Sequence, residues 1–356
     1  MVFSFDMLFD AWKNTVTQNS EQPNKARFKY YLTPNLLKLL KELTSGTFQP
    51  RGFKHRRVYI PKVRDVQVPA LRDKIVQHVI CDNYLNEILT RPLIKETSAC
   101  LKNRGTQYGS DILKLQLRNY YFHHGERFHV LKCDIKSYFA TIPHGRLFEL
   151  IDRYVKDDGV RQIMKKFINQ TDIGLALGLQ QSQLLANLFL SELDHICKER
   201  LGAKYYGRYM DDFYIISNDM EYLEHCWETI DEYVQSIGLT LNPKTTIMHD
   251  KLDFIGFTYS LTSTGKVLMF LNKGKKQSKK RHIAKMIRRI QSGELNVEKM
   301  VNSYSCWRSH ALQGNCYKLV SSWDEIVQEA LEQLGYILTF NEMRWTLCQK
   351  QSHKST

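Results

Sequence analysis

The sequence predicts an α+β fold: an antiparallel sheet carrying helices on one face, followed by a helical appendage. Three observations predict it. Apolar residues keep a helical spacing over much of the chain, the period changes to that of a strand around residue 130, and two further β runs flank the acidic pair Asp211-Asp212 like the arms of a hairpin. No internal repeat or low-complexity linker interrupts the 356 residues, which are enough for two or three subdomains around a substantial core.

The elements follow in order. Phe3, Met7, Leu8 and Ala11 recur at helical spacing, and Thr33-Pro34 opens a second helix carrying Leu36, Leu37, Leu40 and Leu43 before Gly46 ends it. Basic residues crowd the next stretch: Arg51, Lys54, His55, Arg56, Arg57, Lys62 and Arg64. Within it Arg57-Val58-Tyr59-Ile60-Pro61 has β character, and Val66-Gln67-Val68 alternates like a second short strand. Asp73 to Leu89 returns to helix. Phe128 to Cys133 reads as a strand leading into Asp134, and helical patterns follow from Gly145 to Phe167 and from Ser182 to Leu201. The hairpin arms Tyr205 to Arg208 and Phe213 to Ile216 enclose a turn near Met210-Asp211. Glu221 to Ile237 is a helix. Leu252 to Leu261 and Lys266 to Leu271 make another hairpin around Ser263-Thr264-Gly265, and the remainder from about Ser278 is helical.

Composition bounds the class. A content of 43% hydrophobic and 25% charged residues is that of an ordinary soluble globular protein. No run of 18 apolar residues suggests a membrane span. The opening Met1-Val2-Phe3-Ser4-Phe5-Asp6 lacks the basic and apolar regions of a secretory signal, so a cytoplasmic protein without a membrane partner is expected. No two of the eight cysteines form a CxxC pair, which argues against structural zinc and for small buried hydrophobes in a reducing compartment. The net charge of +14 and pI near 9.3 point to a polyanionic partner, because each phosphate neutralised releases a counterion. A basic soluble protein with no nucleic-acid role stays open on charge alone.

An Asp-Asp pair in a turn is by itself ordinary, since Asp favours turns. Bulky Tyr209 and Met210 are poor choices for a solvated turn, however, and a third carboxylate, Asp134, ends an apolar strand upstream. Three carboxylates on adjacent strand ends can hold two divalent cations, which activate a 3′-hydroxyl and stabilise an in-line phosphoryl transfer. Magnesium suits their hard oxygens. Without cations such a cluster would repel itself, and that cost favours function over decoration.

Arg208-Tyr209-Met210-Asp211-Asp212-Phe213 resembles the signature turn of reverse transcriptases, and the family's other segments follow in the family's order over about residues 45 to 320. The resemblance implies a right-hand polymerase fold: an N-terminal helical segment over 1–50, fingers over 51–125, a palm over 126–262, and a basic helical thumb and tail over 263–356. It implies an RNA-directed DNA polymerase with Asp134, Asp211, Asp212 and Lys244 as catalytic residues. Two Mg2+ ions, for which Mn2+ can substitute, would rest on Asp134, the Ile135 carbonyl, Asp211 and Asp212.

Other positions carry over one by one. In Asp134-Ile135-Lys136-Ser137-Tyr138-Phe139, Phe139 matches the bulky residue that stacks below the sugar and excludes a 2′-hydroxyl; a plain core aromatic is the alternative. Leu177-Gly178-Leu179-Gln180-Gln181-Ser182-Gln183 resembles the segment touching the nascent base pair, where Gly178 permits close backbone approach and Gln183 opens a helix. A turn and a helix start are the bland reading of both. Lys244 matches the lysine near the pyrophosphate leaving group, a sensible general acid, or else a surface lysine. Lys62 and Arg64 fall in the fingers segment that holds the triphosphate, and Arg64 can clamp phosphate oxygens in a fork. Arg72 and Lys74 lie near enough to share that role. Tyr209 and Met210 join the template and primer contacts, as do Phe254 and Gly256 in the hairpin that grips the primer terminus.

From Lys273 to Arg289 nine Lys or Arg occur with no acidic residue, while Ile283, Met286, Ile287 and Ile290 form a helical stripe. A charge run is usually a solvated face. After the primer-grip segment, Lys279, Lys280 and Arg281 read as thumb contacts to a duplex backbone. Tyr304 to Ala311 resembles a thumb element of bacterial retroelement enzymes; His310 there is a packing residue or a nucleic-acid contact.

No RNase H, endonuclease or integrase region is expected. The chain's size, Ser182-Gln183 in place of Ser-Pro, and the Trp307 segment resemble reverse transcriptases of diversity-generating retroelements, which copy a template RNA with errors at adenine beside a small accessory protein. Ala176 to Gln181 stands where that group carries Pro-Ile-Gly-Asn-Leu-Thr. Antiphage-defence reverse transcriptases making a specialised cDNA are the alternative. A catalytically idle RNA-binding module is opposed by the intact carboxylates, and an RNA-templated RNA polymerase by Phe139. The implied partners are an RNA template, a DNA or RNA primer, deoxynucleoside triphosphates, a structured non-coding RNA, and an accessory protein or second copy of the chain.

Overall fold

The computed structural model describes residues 2–16, 23–59, 63–341 and 344–349. The chain forms two compact units, Met1–Leu113 with His129–Ile247 and Lys114–Phe128 with Met248–Thr356.

In the first unit, helices Phe5–Val16, Pro23–Tyr30 and Leu32–Thr44 precede a hairpin. The third helix buries Leu36, Leu39 and Leu43, whereas Leu37 is 51% exposed. A stripe at i, i+3 and i+7 is the one that keeps a single face inward. The hairpin pairs β1 (Phe53–Val58) with β2 (Arg64–Pro69), so its first strand begins earlier than Arg57. Ile60, Pro61 and Lys62 lie outside the described residues. Lys54, His55, Arg56 and Arg57 are all exposed. Helix Leu71–Ile80 then runs through a π-helical turn, Cys81–Leu85, into Asn86–Thr90, where the sequence suggested one continuous helix.

A four-stranded sheet contains β3 (His129–Asp134), β4 (Tyr205–Tyr209), β5 (Asp212–Ser217) and β6 (Thr246–His249) in the order β4-β5-β3-β6. β5 lies inside the sheet with Phe213, Tyr214, Ile215 and Ile216 all buried, so its apolar run is continuous rather than alternating. Each such side chain stabilises the fold by about 1.5–3 kcal/mol. Helix Met220–Ser236 covers β3 and β5 with Leu223, Cys226, Ile230 and Val234; its first turn is capped by Asp219, which accepts the Tyr222 N–H at 3.1 Å. The pattern read over Gly145–Phe167 is two helices, His144–Tyr154 and Asp158–Ile168, the second capped by Asp157. Cys81, Cys133, Cys197, Cys226 and Cys316 are buried, while Cys100 and Cys306 are exposed.

Helix Thr106–His124 escaped the sequence reading, although Leu113, Leu117 and Tyr120 are buried at helical spacing. Gly109 and Ser110 in its first turns weaken the local signal. In the second unit, the expected single hairpin over 252–271 is a three-stranded meander of β7 (Leu252–Phe254), β8 (Phe257–Leu261) and β9 (Val267–Leu271). The extra break is Ile255-Gly256, a two-residue turn with φ of 47° and 85°; such turns need positive φ at both positions, which glycine takes without strain. Helices Lys273–Gln291, Val297–Ala311 and Tyr317–Gln333 follow, with Ile283, Met286, Met300, Tyr304, Trp323 and Val327 in their shared core. The chain does not stay helical to its end. Tyr336–Asn341 pairs antiparallel with Arg344–Gln349, where β-branched and aromatic residues favour strands. No helix among the described residues is long and apolar enough to cross a membrane.

Candidate functional site

β3 and β5 run antiparallel with Asp134 directly opposite Asp212, both half-buried. Opposed residues of such a pair share a face, as do residues two apart on one strand. Lys132 therefore stands on that face, diagonal to Asp212, and its ammonium forms an ion pair with the Asp212 carboxylate. Asp211 precedes it in the turn. Burial raises the Asp211 pKa and the charge of Asp134 adds to the rise, while Lys132 and Arg64 act against it. Asp134 and Asp211 thus lie in each other's field. Asn242 fixes the first of them twice: its Nδ2 donates to Oδ2 of Asp134 at 2.8 Å and its backbone N–H to the Asp134 carbonyl at 2.7 Å.

Among the described residues, no three His, Cys, Asp or Glu side chains stand close enough to hold one metal ion. The arrangement is a pair in each other's field, Asp134 and Asp211, with Asp212 in an ion pair with Lys132. That pair fits a divalent cation: its oxygens are hard donors, and a cation would reverse the burial and repulsion that raise the Asp211 pKa.

The turn itself is strained. Met210, with φ of 57°, and Ser137, with φ of 52° just after Asp134, hold left-handed backbones that cost an L-residue about 1–2 kcal/mol each. Arg208 explains how the first is kept. It is fully buried, and all five of its donors are used. Nε and Nη2 each donate to Asp194 at 2.6 Å, Nη2 also reaches the Asn187 carbonyl at 3.1 Å, and Nη1 bonds Asn187 Oδ1 at 3.3 Å and the Met210 carbonyl at 3.0 Å. Burial alone would lower the Arg208 pKa, but the Asp194 charge more than reverses this and the guanidinium stays ionised. Asp194 also accepts from the hydroxyls of Tyr206 at 2.5 Å and Thr97 at 2.9 Å. The backbone of Arg208 bonds Glu96 and Ser98, which covers the outer edge of β4.

Other expected residues fall around this turn in the first unit. Phe139 is half-buried, edge-on to Tyr138 at 5.8 Å, and its carbonyl accepts the Leu175 N–H at 2.6 Å. Gln183 is the exposed residue of helix Gln180–Phe189, whose positions 181, 182 and 184–189 are buried. At Gly178 the expected close approach exists, but it is made to the chain itself: a Cβ there would run into the Gln67 carbonyl of β2. Gln67 also accepts the Leu177 N–H through Oε1 at 3.2 Å. Tyr209 is half-buried, its pKa raised by burial, and Met210 is 8% exposed. Arg64 is exposed at the start of β2, within range of Asp211. Arg72 is instead bound to Glu42 and lies over the Phe48 ring, 5.1 Å from its centre. Lys244 is exposed, and its backbone N–H donates to Asn242 Oδ1 at 3.1 Å. The Ile135 backbone bridges to Leu241. Lys62 lies outside the described residues.

In the second unit Phe254 is buried and Gly256 forms the β7–β8 turn. Lys280 and Arg281 are exposed, but Lys279 donates to the carbonyl and hydroxyl of Ser303 at 2.8 and 3.0 Å, and burial lowers its pKa. His310 packs against Phe257 with ring centres 4.7 Å apart.

Lys132, Asn242 and the Arg208–Asp194–Asn187 network were not singled out from the sequence. Strand alternation was a usable signal for Lys132, two residues from Asp134. Asn187 and Asp194 are seven residues apart, two turns of a helical pattern, yet nothing local pairs them with Arg208.

Residues 54–259 match the family model described as reverse transcriptase (RNA-dependent DNA polymerase). The chain is 30% identical over 207 residues to Protein YkfC of Escherichia coli (strain K12), covering 53% of this chain and 52% of that protein. It is 29% identical over 172 residues to the group II intron-encoded protein LtrA of Lactococcus lactis subsp. cremoris, covering 44% of this chain and 27% of that one. The chain thus spans about half the length of the first relative and about a quarter of the second. Among solved structures it is similar to telomerase from Candida albicans, at 13% identity and a TM-score of 0.48 over 62% of this chain and 46% of the other. With more than half of its residues matched by that family model, the chain belongs to the reverse transcriptase family.

Proposed function

We propose that the chain is an RNA-directed DNA polymerase that extends a primer by nucleotidyl transfer at Asp134, Asp211 and Asp212. One observation carries this reading: the β3–β5 register sets Asp134 opposite Asp212 while the Arg208-anchored turn holds Asp211 in the field of Asp134. In the reaction the primer 3′-hydroxyl oxygen bonds to the α-phosphorus of the incoming nucleotide. The bond from that phosphorus to the bridging oxygen of pyrophosphate breaks, and the hydroxyl proton leaves to solvent.

Divalent cations such as Mg2+, when bound, would acidify the hydroxyl and neutralise the charge developing on the phosphate oxygens. Asp134, Asp211 and the Ile135 carbonyl would hold them, and Lys132 pairs with Asp212 beside them. Arg64 is free of ion pairs to clamp a triphosphate, among the described residues. Lys244 stands two residues beyond Asn242, which binds Asp134, and would give a proton to the departing pyrophosphate. Phe139 would bar a 2′-hydroxyl, and Gln183 is the polar side chain that its buried helix offers to nucleotide or template.

Primer extension on an RNA template with deoxynucleotides tests the reading. Product is expected from the unaltered chain and none from Asp211→Asn; synthesis that survives the substitution would sink the assignment. Phe139→Ala should admit ribonucleotides, and an unchanged sugar preference would refute the gate. The named relatives suit a bacterial retroelement setting, and the Trp307 thumb segment favours the diversity-generating type over antiphage defence. Sequencing the cDNA bound to the chain in its host separates them: adenine-directed errors mark the first, a repetitive or untemplated product the second.

A further inference from the structure

One cavity of the first unit lies away from the acidic turn. It holds about 850 Å³ between the N-terminal helices, β1 and the start of helix Leu71–Ile80. Neither the three aspartates nor Arg64, Phe139 or Gln183 line it. Its walls carry seven Lys or Arg, among them Lys38, Arg51, Lys54 and Lys74, against a single carboxylate, Glu42, which Arg72 already binds.

A solvated basic face would spread such charges over a convex surface. Here they converge on a concave one, where cations raise one another's energy unless an anion enters. Burial and the charge of Lys25 both lower the pKa of Lys74, as that crowding requires. A second feature points the same way. Ala70, Leu71 and Arg72 line the cavity, and Ala70 sits at the N-cap of a ten-residue helix with no side-chain cap. Asp73 in that turn is buried and accepts the Arg51 N–H at 2.8 Å, and the helix start beside it favours an anion, phosphate above all. The third is apolar: Phe28, Tyr31 and Phe53 add rings to the same walls. A bare phosphate would need neither the rings nor so large a volume, whereas a nucleoside carrying several phosphates uses both.

We propose that this cavity is a second phosphate-binding site, which takes the triphosphate of a nucleoside, whether a free nucleoside triphosphate or the 5′ end of an RNA. The helix start and the converging cations hold the phosphates; the rings hold sugar and base. The site is separate from the polymerase turn, so its occupancy does not depend on the reading of that turn.

Binding to the full chain carrying Asp134→Asn and Asp211→Asn tests it, with three probes: ATP, a short RNA with a 5′-triphosphate, and the same RNA with a 5′-hydroxyl. If the RNA end is the ligand, the triphosphate form binds about tenfold more tightly, the worth of one charge-assisted contact. Adding Lys38→Glu and Lys54→Glu should erase that advantage, and Lys251→Glu with Lys266→Glu, an equal charge change in the second unit, should keep it. If a free nucleotide is the ligand, ATP binds, the two RNAs do not differ, and the same pair of substitutions abolishes ATP binding. No ATP binding together with equal RNA affinities overturns the proposal, as does a preference that survives both substitutions. A photoreactive azido-ATP on the unsubstituted chain guards against misfolded variants. Label in the peptide holding Phe28 and Tyr31 is expected; label confined to the peptides of Phe139 and Gln183 overturns the site.

Discussion

Arg208 and the helix Lys273–Gln291 put the same kind of charge to opposite uses. Arg208 is fully buried and spends all five donors inside the protein, on Asp194, Asn187 and the Met210 carbonyl. Lys280 and Arg281 are exposed on a helix that keeps Ile283 and Met286 inward. A buried cation must be satisfied by the fold and so dictates geometry; an exposed one is left for a polyanion and dictates almost nothing internal. Lys279 stands between the two, half-buried and bonded to Ser303.

Breaking the buried side should have the largest effect. Arg208→Leu leaves Asp194 buried without its cation, which costs about 3–5 kcal/mol and should appear as a lower urea midpoint with loss of primer extension. A cost below about 1 kcal/mol would show that the anchor is replaceable. Asp211→Asn separates the turn from its anchor. Extension should fall by at least about a hundredfold. Because burial and Asp134 disfavour the Asp211 carboxylate, stability in a chelating buffer should not fall. Added Mg2+ should raise the melting temperature of the unaltered chain and leave that of the doubly substituted Asp134→Asn, Asp211→Asn chain in place.

Gly178→Ala probes packing without charge. The added methyl meets backbone, the Gln67 carbonyl, and should cost about 1–3 kcal/mol by denaturant titration. The smallest internal effect belongs to the helix Lys273–Gln291. Lys280→Gln with Arg281→Gln should change stability by less than about 0.5 kcal/mol. The same pair should lower the salt slope of duplex binding by roughly two. Lys279→Gln should do the reverse, costing about 1 kcal/mol through the Ser303 bonds and sparing the slope. A slope that responds to Lys279 and not to its neighbours would invert the comparison.

How much was legible follows the range of each interaction. The acidic hairpin was readable because its strands are apolar runs and its turn residues sit between them, all within a dozen positions. Lys132 could have been read from alternation, being two residues before Asp134. Gly178 shows a partial reading: the need for close approach was visible, but its partner, Gln67, lies 110 residues before the neighbouring Leu177. Arg72 looked like a phosphate clamp beside a basic stretch, and the fold gives it Glu42 and the ring of Phe48 instead. The C-terminal strands were absorbed into a helical run because the three preceding helices set the expectation.

The sequence by itself determined where the acidic residues stand, on the ends of strands whose period is written in adjacent side chains. The tertiary structure alone decided how their charge is managed: Asp212 goes to Lys132, Asp134 to Asn242, and the turn to Arg208 through Asp194. It also gathered the cations of the N-terminal helices and β1 around one cavity. The reason is physical. Periodicity is a property of neighbours, whereas neutralising a buried charge requires groups that only folding brings within a few ångströms.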